Sequence, residues 1–104
     1  MNKQFKGMLS LTKKAGKLQT GEARATDAIR NNKTFLVILS EDASANTEKR
    51  FSDMAAFRDI PFLKMGDRYE LGESIGSKFA VVIAVTDQGL ANNLIEIVKK
   101  TEQN

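Results

Sequence analysis

The sequence predicts an α/β chain: a three-layer α/β/α sandwich around a small mixed central sheet. Three observations carry this. First, the runs Thr34-Phe35-Leu36-Val37-Ile38-Leu39 and Phe79-Ala80-Val81-Val82-Ile83-Ala84-Val85 are continuously apolar and β-rich. Strands that lack alternation are buried on both faces, as in a sheet covered by helices. Second, the segments around these runs place apolar residues three and four apart, the helical period. Third, the order reads helix, helix, strand, helix, strand, helix, strand, helix, and such alternation stacks helices on a sheet. A chain of 104 residues makes one core, so 1–104 is read as a single domain.

Phe5, Met8, Leu9, Leu11, Thr12 and Ala15 form the stripe of a first helix of about three turns. Gly16 is placed to end it, because glycine accepts the left-handed conformation found at helix ends. Leu18 follows in a short extended link. Thr20-Gly21 opens a second helix, with Ala25, Ala28 and Ile29 on one face and Asn31-Asn32 at its close. Thr20 is a candidate N-cap, but Ala23 stands where a capping-box Glu belongs. The start of this helix therefore has backbone N–H groups able to receive a phosphate.

After the first long strand comes the turn Glu41-Asp42-Ala43, then a helix over Ser44 to Arg58 carrying Phe51, Met54, Ala55 and Arg58. Ile60-Pro61-Phe62-Leu63 reads as a shorter strand, with proline tolerated near its start. Asp67 and Glu70 fit a capping box, opening a short helix through Leu71 and Ile75 that Gly76 stops. Thr86-Asp87 starts the last helix. Its buried stripe is Leu90, Leu94, Ile97 and Val98, and Lys99-Lys100 suit its negative end. Residues 101–104 read as a frayed tail.

Composition narrows the chemistry. The chain has no cysteine and no histidine, which removes disulfides, thiolate nucleophiles, ordinary zinc sites and Ser/His or Cys/His relays. No cofactor is expected. The longest apolar stretch, Phe79 to Val85, falls far short of the roughly 20 residues that cross a membrane. The start, Met1-Asn2-Lys3-Gln4-Phe5, has no apolar segment of the secretory kind. A cytoplasmic binding protein, monomeric and without a membrane partner, is the expectation. Charge is uneven: residues 1–24 hold six cations and one acid, while 25–104 hold ten cations and twelve acids. A basic end on a mildly acidic body fits a polyanionic partner, although a solvated lysine face has the same composition.

Familiar motifs fail. Gly16-Lys17 is followed by Leu18 rather than Ser or Thr, and Leu11 stands where a phosphate-binding Walker loop has its first glycine. No Gly-x-Gly-x-x-Gly follows a strand. Asp42, beside Glu41 at a strand end, has the placement of a phospho-acceptor or metal ligand, but a turn or cap role is the commoner use. The aromatics are six Phe and Tyr69, and none pairs on a basic strand as in sheet-type RNA binders. What remains is the basic first helix, the turn Lys13-Lys14-Ala15-Gly16-Lys17, the helix start at Gly21 to Arg24, and the loop Gly76-Ser77-Lys78-Phe79. Together these point to RNA.

Ala15-Gly16-Lys17-Leu18 with Thr20-Gly21, Ala28-Ile29, Leu36 to Ala43, Ile60-Pro61-Phe62, Glu70-Leu71-Gly72 with Ile75-Gly76, Val82 to Val85 and Asp87-Gln88-Gly89 occur in an order that is itself informative. In that order the chain resembles the ribosomal-protein superfamily of large-subunit proteins seven-Ae and thirty-e, known for binding kink-turn RNA. It is most similar to the small bacterial ribosomal-protein-like members. The likeness spans about residues 5–100. It implies an α/β/α sandwich and an RNA site made by the helix start, Gly21 to Asp27, and the late loop, Gly76 to Phe79. Kink-turn binders carry Gly-x-Asn-Glu at that start, with a Lys three residues after the Glu. This chain keeps Gly21, but has Ala23 for the Asn, Arg24 for the Glu and Asp27 for the Lys.

The resulting expectation is a non-enzymatic protein that binds structured RNA, ribosomal RNA above all, with altered or weakened kink-turn recognition. Lys13, Lys14, Lys17, Arg24 and Lys78 would border one surface and contact phosphates. Gly21 and Glu22 would present backbone N–H groups, facing Gly76, Ser77 and Phe79. Loss of the base-reading Asn and Glu also fits a protein–protein adaptor on the same fold without RNA contact, or an accessory domain like those attached to RNA-modifying enzymes.

Overall fold

The computed structural model describes residues 1–102. Nine elements follow one another: α1 (Lys3–Lys14), β1 (Leu18–Thr20), α2 (Glu22–Arg30), β2 (Leu36–Leu39), α3 (Ala45–Phe57), β3 (Phe62–Lys64), α4 (Arg68–Ser74), β4 (Val82–Val85) and α5 (Gln88–Glu102). The strands lie in the order β1-β4-β2-β3. β4 is antiparallel to both neighbours, with Leu18 opposite Val85 and Leu36 opposite Val85, while β2 and β3 are parallel.

Side chains alternate across this sheet, so each strand feeds two cores. Leu36, Ile38, Ile83 and Val85 meet Phe5 and Leu9 of α1, Leu71 of α4, and Ala91, Leu94 and Ile97 of α5. Val37, Leu39, Val82 and Ala84 meet Ala25, Ala28 and Ile29 of α2 and Phe51 and Ala55 of α3. The result is three layers: α1, α4 and α5, then the sheet, then α2 and α3. Both long strands are buried at every position, as their unbroken apolar runs require.

Helix ends follow the expected chemistry. Ser44 and Asp67 cap α3 and α4, and Asp67 with Glu70 forms a full capping box. Asp87 accepts the Leu90 N–H at 2.9 Å. Gly16 (φ 70°) follows the C-cap of α1. There the Lys17 N–H donates to the Thr12 carbonyl and the Gly16 N–H to that of Lys13, the Schellman pattern.

Four expectations need correction. Residues 18–20 are not a link but an edge strand, short and with only Leu18 fully buried. Thr20 is not the cap of α2: it ends β1, where its hydroxyl donates to the Val82 carbonyl at 3.3 Å, and Gly21 (φ 92°) is the N-cap. Leu11 points outward, 52% exposed. Residues 101 and 102 continue α5, where Thr101 accepts from Asn2 at 2.8 Å and donates to the Ile97 carbonyl at 2.9 Å. Gln103 and Asn104 of the expected tail lie outside the described residues.

Candidate nucleic-acid interface

The strand directions sort the loops into two groups. β1, β2 and β3 end where β4 begins, so the start of α2, the 40–44 and 65–67 turns and the loop before β4 share one end of the sheet. The 15–17, 31–35, 58–61 and 86–87 segments share the other.

At the first end, α2 begins without a side-chain cap. The N–H groups of its first turn have no partner within the helix, and the Gly21 N–H itself reaches back to the Val82 carbonyl at 3.3 Å. Only glycine takes the Gly21 backbone (φ 92°) without strain. Facing this start is the loop before β4. α4 ends in the same Schellman pattern, with Gly76 at φ 74°, the Ser77 N–H on the Gly72 carbonyl at 2.8 Å and the Gly76 N–H on that of Glu73 at 3.2 Å. The chain then turns through exposed Lys78 and Phe79, Phe79 being 60% exposed. Between the two lies a cleft of about 150 Å³, lined by Thr20, Gly21, Glu22, Phe79, Ala80, Val81 and Val82.

Two devices that sequence reasoning missed hold this loop. Gly72 sits so close that a Cβ there would lie 2.5 Å from the Phe79 Cα; its only sequence signal was a glycine inside a helical pattern. Arg68, at the start of α4, accepts the Ala80 N–H on its carbonyl at 2.9 Å. Arg68 is in turn tied to Asp42: its N–H and Nε donate to the carboxylate at 3.1 and 3.2 Å, and a terminal nitrogen donates to the Asp42 carbonyl at 3.0 Å. Asp42 is therefore an anchoring turn residue. Partial desolvation raises its pKa, but the Ser40 hydroxyl and the Arg68 guanidinium and N–H more than offset this, leaving the carboxyl below its ordinary 3.8. A group shifted down on folding stabilises the fold above its ordinary pKa and loses that contribution as pH falls through the folded value. Asp42→Asn should accordingly lower the unfolding temperature at pH 7, and the gap to wild type should close below about pH 4. Thermal unfolding followed by circular dichroism at pH 7 and pH 3 checks this.

Glu22, in the first turn of α2, is held by Arg50 of α3, another contact that spacing could not reveal. Ala23 and Asp27 stand on the outer surface of α2 beside Thr26, Arg30 and Arg50. Arg24 lines a separate groove of about 330 Å³ with Gln19, Asp27, Ala28, Asn31, Lys33 and Thr86.

The five cations do not border one surface. Lys78 is exposed on the loop next to Phe79, outside the cleft lining, and Arg24 belongs to the groove along α2, while Lys13, Lys14 and Lys17 stand at the far end of the sheet. The physical reason is β1: as a strand paired to β4, it places Lys17 beside Thr86, whose N–H its carbonyl accepts at 2.8 Å, and Gly21 beside Val82. Three strand residues separate the lysine turn from the helix start by about 10 Å or more.

Comparison with known proteins places this arrangement. Residues 3–95 match the ribosomal protein L7Ae/L30e/S12e/Gadd45 family. The chain is 44% identical over 91 residues to "RNA-binding protein YlxQ" of Bacillus subtilis, covering 88% of this chain and 91% of that protein. It is 33% identical over 92 residues to the protein of the same name from Enterococcus faecium, covering 88% of each. Among solved structures, a protein of unknown function from Bacillus halodurans superposes with a TM-score of 0.91 at 35% identity, over 94% of this chain and 99% of that one. A Giardia lamblia 15.5 kD RNA binding protein superposes with a TM-score of 0.77 at 19% identity, over 99% of this chain and 92% of that one, which speaks to the fold alone. With nearly the whole length matched and the layered architecture in place, the chain belongs to the ribosomal protein L7Ae/L30e/S12e/Gadd45 family.

Proposed function

We propose that this chain is a non-catalytic RNA-binding protein that grips structured RNA, ribosomal RNA in particular, at the cleft between the start of α2 and the loop before β4. The observation that carries the reading is the pairing of an uncapped helix N-terminus with an exposed aromatic. The free N–H groups and the positive helix end attract a phosphate, and Phe79 offers an unstacked base a face to lie on. Lys78 adds a cation that forms no ion pair among the described residues. The two relatives named as RNA-binding proteins support the same reading.

Kink-turn recognition is weakened in this reading. Ala23 has no hydrogen-bonding side chain, Arg24 reverses a charge, and Asp27 repels phosphate. The cleft keeps its backbone donors and its aromatic face, so structured RNA is bound mainly by phosphate and stacking contacts. Titration of labelled ribosomal RNA fragments and of a kink-turn RNA at 50 and 200 mM salt tests this. Binding should be measurable at low salt, weaken by about tenfold or more at high salt, and fall when Phe79 is changed to Ala. Undetectable binding at low salt, or binding indifferent to salt, would overturn the reading. Retention of partners from a lysate after ribonuclease treatment would favour the adaptor instead.

A further inference from the structure

We propose that the far end of the sheet is a second RNA-contact surface, in which Lys13, Lys14, Lys17 and Lys33 hold the phosphate backbone of a strand that leaves the cleft along α2. The proposal rests on the RNA-binding reading above and extends it to the other end of the sheet, in a body of 30 × 27 × 26 Å.

The first observation is a contrast in charge pairing. At the cleft end, Arg50, Lys64 and Arg68 are each neutralised by a carboxylate, from Glu22, Glu48 and Asp42 respectively, which leaves Lys78 and Arg24 as cations without an ion pair there among the described residues. At the far end, Lys13, Lys14, Lys17, Arg30 and Lys33 form no ion pair among the described residues, and all five are exposed. Part of this has a local explanation, since Lys13, Lys14 and Arg30 occupy last helical turns and complement the negative helix end. That explanation does not reach Lys17 and Lys33, which lie beyond the helices.

The second observation is that the backbone fixes those two lysines in equivalent places. α2 ends as α1 does: Asn32 takes φ 57°, the Lys33 N–H donates to the Ala28 carbonyl at 3.0 Å, and the Asn32 N–H donates to that of Ile29 at 3.1 Å. Each lysine thus follows the left-handed residue that closes a helix. The Lys17 carbonyl accepts the Thr86 N–H, and the Phe35 N–H donates to the Val85 carbonyl, so the two loops flank the end of β4. Because β1 and β2 are the two neighbours of β4, the loops stand about 10 Å apart, two strand spacings. Flexible four-carbon stems let both ammonium groups reach one backbone.

The third observation is a route. The groove lined by Arg24 near the start of α2 and by Lys33 past its end follows the helix for about 13 Å, the length of nine residues. Arg24 stands at the near end of that path and Lys33 at the far end, with Asp27 between them, so the strand is held at the two ends, a use for the residue that departs from the kink-turn pattern. The groove is separate from the cleft but runs along the same helix whose start forms one cleft wall, and the unpaired lysines at its far end favour RNA over an acidic protein as the occupant.

The test uses the full chain and two probes: a labelled thirty-nucleotide polyuridine and a labelled ribosomal RNA fragment. The variant Lys13→Gln/Lys14→Gln/Lys17→Gln/Lys33→Gln should flatten the dependence of log affinity for polyuridine on log salt by about 2 to 3, at roughly 0.7 per phosphate contact on a single strand. A charge-matched control, Lys3→Gln/Lys49→Gln/Lys99→Gln/Lys100→Gln, should leave the slope within about one. The double variant Lys17→Gln/Lys33→Gln should show about half the full effect and guards against misfolding of the quadruple one. An unchanged slope, an equal loss in the control, or displacement of polyuridine by polyglutamate of matched charge at the same concentration would each overturn the proposal. If Phe79→Ala loses the ribosomal fragment while the quadruple variant keeps its slope, the second surface alone falls. If wild type binds neither probe, the RNA reading falls with it.

Discussion

Replacing Gly72 with alanine should lower the unfolding temperature by about 10 °C and cripple RNA binding at temperatures where the variant is still folded. The added Cβ would lie 2.5 Å from the Phe79 Cα, 2.7 Å from its nitrogen and 2.8 Å from its carbonyl carbon. All three are backbone atoms, so no side chain can rotate out of the way. Either α4 moves off the sheet or the 76–80 loop moves off α4. Overpacking of this kind costs about 1–3 kcal/mol, and each kcal/mol moves the midpoint of a domain this size by roughly 4–8 °C. The functional loss follows because the displaced atoms are the backbone of Phe79, which lines the cleft. Gly7→Ala is the matched control: it lies in α1, exposed, with nothing within 4 Å of the added Cβ. That substitution should stabilise by about 0.5–1 kcal/mol, the ordinary helix preference for alanine over glycine. Thermal unfolding and RNA titration of both variants decide the matter. A Gly72→Ala protein with wild-type midpoint and affinity would mean that the loop is not seated on α4.

These glycines show where sequence reading succeeds and where it stops. Gly16 and Gly76 were legible because a glycine at the end of an apolar stripe has a local job, and both do it at positive φ. The capping box at Asp67 and Glu70 was legible for the same reason, as were β2 and β4, whose unbroken apolar runs need no partner to be recognised. Gly72 was not, since its role depends on which backbone crosses α4. β1 was harder still. Leu18-Gln19-Thr20 has neither a run nor an alternation long enough to count, and it is a strand only because β4 offers Val85, Ala84 and Ile83 as partners.

That one missed strand accounts for the error in the site. Taken as a link, residues 18–20 leave the lysine turn and the helix start as neighbours, and five cations collapse onto one surface. Taken as a strand, they send the two to opposite ends of the sheet. The resemblance supplied the pairing of Gly21 to Asp27 with Gly76 to Phe79, which no local pattern in the chain could specify. The strand order β1-β4-β2-β3 realises it, because β4 begins where β1 ends and brings the loop before it to the start of α2.

Restoring the kink-turn residues on α2 should raise affinity for a kink-turn RNA by about a hundredfold or more. The variant is Ala23→Asn/Arg24→Glu/Asp27→Lys. All three positions are exposed, while the buried face of the helix is Ala25, Ala28 and Ile29, so the core is untouched. Glutamate at position 24 stands in the first turn, where a negative group favours the helix. The three changes leave the net charge at its present +3, so a gain cannot come from a general increase in attraction to polyanions. Each regained polar contact to a base edge is worth about 1–3 kcal/mol, and two or three of them amount to two decades or more. The RNA control is the same kink-turn with its sheared G·A pairs replaced by Watson–Crick pairs. Asn and Glu read edges exposed only in the sheared geometry, so the gain should vanish on the control. A gain on both RNAs would assign the effect to phosphate contacts from the new lysine. No gain on either would mean that the start of α2 does not face the kink, and the cleft would have to grip its RNA in another orientation.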